Sequence, residues 1–180
     1  SNATAYLNLL AADCDLSNVA TSIDIWLTNF DGKTIVVNEN QSFFFDAEIA
    51  QTSLSSSLIV DHKIDATSST NNKINISTRD SLISNSDKTA NISGLQTIDI
   101  QTLNFDLSGG TNLETIANIT GDDLKKVIVS GSGNFDLNDN IITGSNSSRL
   151  EIDGSAATGS ITIKVDTTPN SLANIATGTG

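Results

Sequence analysis

From Leu113 to Val165 the chain repeats one phrase: a leucine, a short strand of alternating β-branched residues, a Gly/Ser/Asn turn, and a second short strand. Leu113-Glu-Thr-Ile-Ala-Asn-Ile-Thr-Gly121, Leu124-Lys-Lys-Val-Ile-Val-Ser-Gly-Ser-Gly-Asn-Phe-Asp-Leu137 and Leu150-Glu-Ile-Asp-Gly-Ser-Ala-Ala-Thr-Gly-Ser-Ile-Thr-Ile-Lys-Val165 are variants of it. A unit this short cannot enclose a core, so the copies must bury their apolar faces against one another, which predicts an extended all-β scaffold. Spacings between the equivalent strands run from about 11 to about 26 residues. That is too uneven for a tight hexapeptide helix and leaves two architectures: a β-solenoid, parallel β-helix-like with uneven turns, or an elongated β-sandwich whose strands look alike.

The composition agrees with many short strands joined by polar turns. Ser, Thr, Asn and Gly supply roughly two residues in five, and Asn and Ser bond their own backbone at turns while Asn tolerates left-handed geometry. With a single proline, Pro169, the turns fall to Gly, Asn, Asp and Ser. The apolar residues are mainly Ile, Leu, Val and Ala, with eight aromatics, so the expected core is thin and aliphatic.

The chain divides into three parts. Ser1-Asn2-Ala3 resembles the scar left by tag removal, and the absence of Met implies an internal fragment of a longer protein. Residues 4–66 form a β-rich part with most of the aromatics: Ser22-Ile-Asp-Ile-Trp-Leu-Thr28, Lys33-Thr-Ile-Val-Val-Asn38, Ser42-Phe-Phe-Phe-Asp46 and Ser57-Leu-Ile-Val-Asp61 read as strands. Asp31-Gly32 predicts a hairpin between the first two, and the cluster Tyr6, Leu7, Leu9, Leu10, Ala11 predicts a short helix within residues 4–21. Ala66-Thr-Ser-Ser-Thr-Asn-Asn72 reads as a loop or boundary. Residues 67–180 are the repetitive region, continuous with the first part or separate from it. Within it, Ile98 and Ile100 share a face while Leu103, Phe105 and Leu107 have the opposite parity, which predicts a bend near Gln101-Thr102.

The net charge of −12 excludes direct binding to nucleic acid or to an anionic membrane surface, both of which need Lys/Arg patches. No stretch approaches the roughly 20 apolar residues of a membrane-spanning helix. One cysteine, Cys14, rules out an intrachain disulfide framework; it reads as a small buried apolar residue. Cations are the natural partners of so acidic a chain. Asp136-Leu-Asn-Asp-Asn140 places Asp136, Asn138 and Asn140 at the first three odd positions of an EF-hand-like loop, with oxygen ligands suited to Ca²⁺. The pattern then departs, with Ile141 where Gly belongs and Ser147 where a bidentate Glu belongs; an ordinary polar turn is the alternative. Asp122 and Asp123, after Gly121, form a second acidic turn that would either bind a cation or cap the next segment. Asp13 and Asp15 share a face if extended and form a third pair.

Catalysis finds little support. His62 is the one histidine, and Val60-Asp-His-Lys63 sets Asp61 and His62 on opposite faces of a strand, a poor geometry for an orienting hydrogen bond. Arg79, Arg149 and seven dispersed lysines give no basic cluster of the kind a polysaccharide-cleaving β-helix uses. The expectation is therefore a non-enzyme, without catalytic residues; a carbohydrate-active β-helix enzyme is the third-ranked alternative.

The wording of Leu124 to Leu137 and of Ile152-Asp-Gly-Ser-Ala-Ala-Thr-Gly-Ser-Ile-Thr-Ile163 resembles the β-strand repeats of large RTX-type bacterial surface-layer proteins and repetitive adhesins, over residues 95–180. Ile175-Ala-Thr-Gly-Thr-Gly180 is similar to the first half of a calcium-binding Gly-Gly-x-Gly-x-Asp nonapeptide. The resemblance implies an exported structural segment at the bacterial cell surface, associating with itself or with other surface-layer subunits, with Ca²⁺ as the implied cofactor. The alternative is an adhesin module that recognises a cell-surface glycan or protein through Tyr6, Trp26 or Phe43–Phe45; the competing role of those aromatics is to pack the first sheet.

Overall fold

The computed structural model describes residues 3–8, 13–28, 34–37, 42–46, 58–62, 72–79, 89–92, 94–109, 112–115, 118–144, 149–165 and 174–178. The chain winds as a β-solenoid. Its first pass holds β1 (Ala3–Asn8) and β2 (Cys14–Asp15), the second β3 (Ile23–Thr28) and β4 (Thr34–Val37), and the third β5 (Ser42–Asp46) and β6 (Leu58–His62). The fourth holds β7 (Lys73–Arg79), β8 (Thr89–Ile92) and β9 (Leu95–Ile98), and the fifth β10 (Thr102–Leu107), β11 (Asn112–Thr115) and β12 (Ile119–Gly121). The sixth holds β13 (Lys126–Gly131) and β14 (Phe135–Thr143), the seventh β15 (Glu151–Ala157) and β16 (Ile161–Val165), and β17 (Asn174–Ala176) begins the next.

The first sheet is the spine: eight strands in the order β1-β3-β5-β7-β10-β13-β15-β17, each on the one before it. Successive register partners are Ile25 on Phe43, Phe43 on Ile76, Leu103 on Val127, Val127 on Ile152 and Ile152 on Ile175, offsets of 18, 33, 24, 25 and 23 residues. The second sheet runs β2-β4-β6-β9-β12-β14 and then turns back through β11 to β8. The turn arises because β14 is bent. Phe135 and Asp136 pair with β11, whereas Ile142 and Thr143 pair with β12, and between them Asn138 and Asp139 take positive φ of 47° and 65°. From β8 onward the coil thus has a third face. All described pairings are parallel, which excludes the sandwich, since sandwiches are built from antiparallel strands.

The alternating pattern buries one face of each strand. Leu103, Phe105, Leu107, Val127 and Val129 from the first sheet, and Leu113, Ile119, Phe135, Leu137 and Ile142 from the others, are buried. Phe105 and Phe135 meet across the core, ring centroids 4.8 Å apart and planes tilted by 46°.

Four sequence expectations change. Among the described residues of 4–21 no helix forms: β1 and β2 lie there instead, because the pairing of Ala3 to Asn8 with Ile23 to Thr28 overrides the i, i+3 and i, i+4 spacing of Tyr6, Leu7, Leu10 and Ala11. The hairpin at Asp31-Gly32 is replaced. Those residues lie outside the described ones, but β3 pairs with β1 and β5 in one sheet, and β4 with β2 and β6 in the other, so the two strands do not form a hairpin with each other. Leu113 is not equivalent to Leu124 and Leu150. It lies in β11 over Phe135, whereas Ile100, Leu124 and Leu150, all buried, precede β10, β13 and β15. The bend expected near Gln101 is real but starts earlier, at Asp99 with φ of 57°, and the inward position in β9 belongs to buried Thr97 rather than to half-buried Ile98. The boundary run 66–71 lies outside the described residues; the first sheet continues across it, β5 pairing with β7. Among the described residues no helix is long and apolar enough to cross a membrane.

Candidate binding face and acidic corners

Stacked coils must re-partner the backbone at each corner, where the strand ladder lapses. This chain does so with carboxylates and amides. Asp15, Asp106, Asp136 and Asp153 each use Oδ1 to accept the backbone N–H two residues on, from Ser17 (2.9 Å), Ser108 (3.0 Å), Asn138 (2.8 Å) and Ser155 (3.2 Å), the Asx turn that Asp and Asn make at strand ends. Other side chains staple one coil to the next. Asp13 Oδ1 accepts Thr34 N–H at 2.9 Å, Asn112 Oδ1 accepts Asn134 N–H at 2.8 Å, Asn134 Oδ1 accepts Ser160 N–H at 2.9 Å, and Asn118 Oδ1 accepts Ile141 N–H at 3.0 Å.

The residues proposed as cation ligands sit at two separate corners. Asp136 and Asn138 build the bend within β14, and Asn140 follows them in the strand. Asp122 and Asp123 are the central residues of the turn from β12 to β13, closed by Leu124 N–H on Gly121 O at 3.2 Å. Gly121 is required there, since a Cβ would lie 2.2 Å from Thr97 Oγ1. The fold therefore does not join the two acidic sequences into one ligand set, and among the described residues no three His, Cys, Asp or Glu side chains come together. Cys14, half-buried, packs against the core. Asp61 is the register partner of Val36 and His62 that of Val37.

Two polar groups escaped the sequence reading. Asn72, fully buried before β7, donates its backbone N–H to Gln101 Oε1 at 2.7 Å and its side-chain amide to Asp99 O at 2.8 Å. This amide pair fixes the corner ahead of β7 and β10; only its place beside an alternating run could have marked it. On the outer face of the first sheet, Lys126 Nζ lies 2.7 Å from Glu151 and 3.3 Å from Asp153. The Glu151 hydrogen bond, with help from Asp153, raises the Lys126 pKa, and the Ser155 hydroxyl and amide, with Lys126, lower that of Asp153.

Strand register also sorts the N-terminal aromatics. Phe43 is the register partner of Ile25 on one side and of Ile76 on the other. Tyr6 is the register partner of Trp26, and Trp26 of Phe44, on the adjacent strands β1, β3 and β5. Elsewhere, a depression lined by Glu151, Ile152, Ile175 and Ala176 lies beside β17, where Ile175 is 53% exposed. Ile175 continues the inward column of Val127 and Ile152, so its exposure is that of a core position with no described strand laid over it.

Comparison with family models, with curated proteins and with solved structures gives no significant match.

Proposed function

We propose that this chain is a rigid structural segment of a secreted bacterial surface protein of the surface-layer or RTX-adhesin type, and that its role is architectural rather than catalytic. The observation that carries the reading is the spine of eight parallel strands stacked in chain order. At about 4.8 Å between strands it spans about 34 Å, and each added coil lengthens it without redesign of the core. Asp and Asn side chains staple the corners, which gives cohesion without disulfides. The phrases similar to surface-layer repeats, Leu124 to Leu137 and Ile152 to Ile163, build β13 to β16. A net charge of −12 keeps neighbouring copies apart until a cation or a sister subunit bridges them.

The test is antibody labelling of intact and permeabilised cells of the source organism, with fractionation of the parent protein. Surface label on intact cells and recovery in a surface-associated or secreted fraction are expected. Label confined to permeabilised cells, with the parent in the cytosol, overturns the reading.

A further inference from the structure

The sequence Asn-x-Ser/Thr occurs at six asparagines of the chain, and two of them, Asn75 and Asn118, have described side chains. In a secreted protein it is the acceptor sequence for an N-linked glycan. A chain so rich in Asn, Ser and Thr produces it readily by composition, so the structure must choose among the copies. Asn75 is half-buried on a strand of the spine, where its Oδ1 accepts the Asn104 side-chain amide at 3.0 Å. Asn118 is exposed at the corner ahead of β12, with Thr120 two residues on. Its Oδ1 accepts Ile141 N–H at 3.0 Å, and its Nδ2, on the other branch of the planar amide, has no hydrogen-bond partner among the described residues. Ile119 is the register partner of Leu95, so the position beside Asn118 in the preceding coil is Gly94, which carries no side chain. Asn112 and Asn134 staple coils in the same way, but have Glu114 and Asp136 two residues on and lack the acceptor sequence.

We propose that Asn118 is a modification site and that the group it carries is an N-linked glycan. The inference rests on the reading of the chain as a secreted protein. Transfer from a glycosyl diphosphate forms a bond between Nδ2 and the anomeric carbon and breaks the bond from that carbon to the phosphate oxygen. The diphosphate leaves with the bonding electrons, and one Nδ2 proton is released. The side-chain oxygen takes no part in the exchange, so the glycosylated amide still accepts Ile141 N–H, and glycan and corner staple coexist. A transferase has to enclose Asn118, Ile119 and Thr120 together, yet in the fold Ile119 is buried and paired with Leu95 and Ile142. Attachment therefore precedes closure of this coil, while the chain is being exported. Afterwards the sugar stands at an exposed corner of the solenoid, where its bulk and hydroxyls keep that edge hydrated.

The test is peptide mapping by mass spectrometry of the protein recovered from the surface or secreted fraction of the source organism. Cleavage after Lys, Arg and Glu releases Thr115–Lys125, in which Asn118 heads the sole Asn-x-Ser/Thr, and Ile74–Arg79, which contains Asn75. Hexose or N-acetylhexosamine units are expected on the first peptide, placed on Asn118 by fragmentation, and none on the second. Asn118→Gln should abolish the modification. Thr120→Val should abolish it too and leaves the Asn118 staple to Ile141 in place, so it serves if Asn118→Gln does not fold. An unmodified Thr115–Lys125 in surface-recovered protein overturns the proposal, and so does a modification that survives in either variant. Protein recovered only from the cytosol overturns the secretion reading, and this proposal with it.

Discussion

Phe105→Ala tests the core where two faces of the coil meet. Phe105 is fully buried in β10 between its register partners Ile76 and Val129, and its ring packs on Phe135 at 4.8 Å. A buried Phe→Ala change costs about 3–5 kcal/mol in lost transfer energy and residual cavity. Of this about 1 kcal/mol belongs to the ring pair. Against a total stability of about 5–15 kcal/mol for a typical domain, the loss leaves the fold near its limit. At about 2–4 °C per kcal/mol for a chain of this size, the thermal midpoint should fall by about 6–20 °C. The assay is urea denaturation followed by far-ultraviolet circular dichroism, on Phe105→Ala, Phe135→Ala and the double variant. Coupling of about 0.5–1.5 kcal/mol between the two sites is expected, because removal of either ring leaves the other without its partner. A loss below about 1.5 kcal/mol for Phe105→Ala, or strict additivity of the pair, would refute the packing argument.

Four further outcomes follow from the geometry. Gly131→Ala should cost at least about 2 kcal/mol, since Gly131 has φ of +95° and a Cβ would lie 2.3 Å from the Leu107 and Ser108 backbone; a parent-like melt would contradict it. Val129→Asp should abolish cooperative folding by burying an unpaired charge, whereas Ile163→Asp, at a half-buried position, should give a folded but less stable chain; equal effects in the two melts would count against the burial assignment. Asp136→Asn retains an acceptor for the Asn138 amide and should leave the midpoint in chelator unchanged, so a marked drop would show that the charge itself matters at that corner. On pH, the lowered Asp153 contributes stability above its ordinary value of 3.8 that is lost as pH falls through the folded value, and the raised Lys126 contributes stability below 10.5 that is lost as pH rises past its folded value. Both side chains are about a third exposed and so screened by solvent, so each limb should amount to a few tenths of a kcal/mol, and Lys126→Met should flatten the alkaline limb in melts from pH 9 to about 11.5; an unchanged alkaline limb in that variant would dismiss the ion pair.

Much of the strand content and inward parity was legible because alternation is local: Leu103, Phe105 and Leu107 face the core as their spacing predicts, and so do Val127, Val129 and Phe135. The acidic run at Asp136 was legible as a turn for the same reason, since an Asx turn needs only the next two residues. Parity gives no strand its partner, however. The Asp31-Gly32 signal and the leucines at the N-terminus suited a hairpin and a helix, and both gave way to parallel pairing between β1 and β3 and between β4 and β6. The register that sets Tyr6, Trp26 and Phe44 at partner positions on adjacent strands was equally hidden, because neighbours on a sheet can lie many residues apart in sequence.

The sequence by itself determined an all-β chain with an aliphatic interior and Asp/Asn corners, because each of those properties resides in a window of a few residues. The tertiary structure alone decided the parallel solenoid, the bend in β14 that joins the second face to the third, and the meeting of Phe105 with Phe135 in the core. Loop-closure entropy changes only slowly with length, so offsets of 18 and 33 residues are admitted almost alike, and the choice among them falls to which apolar faces can be buried together.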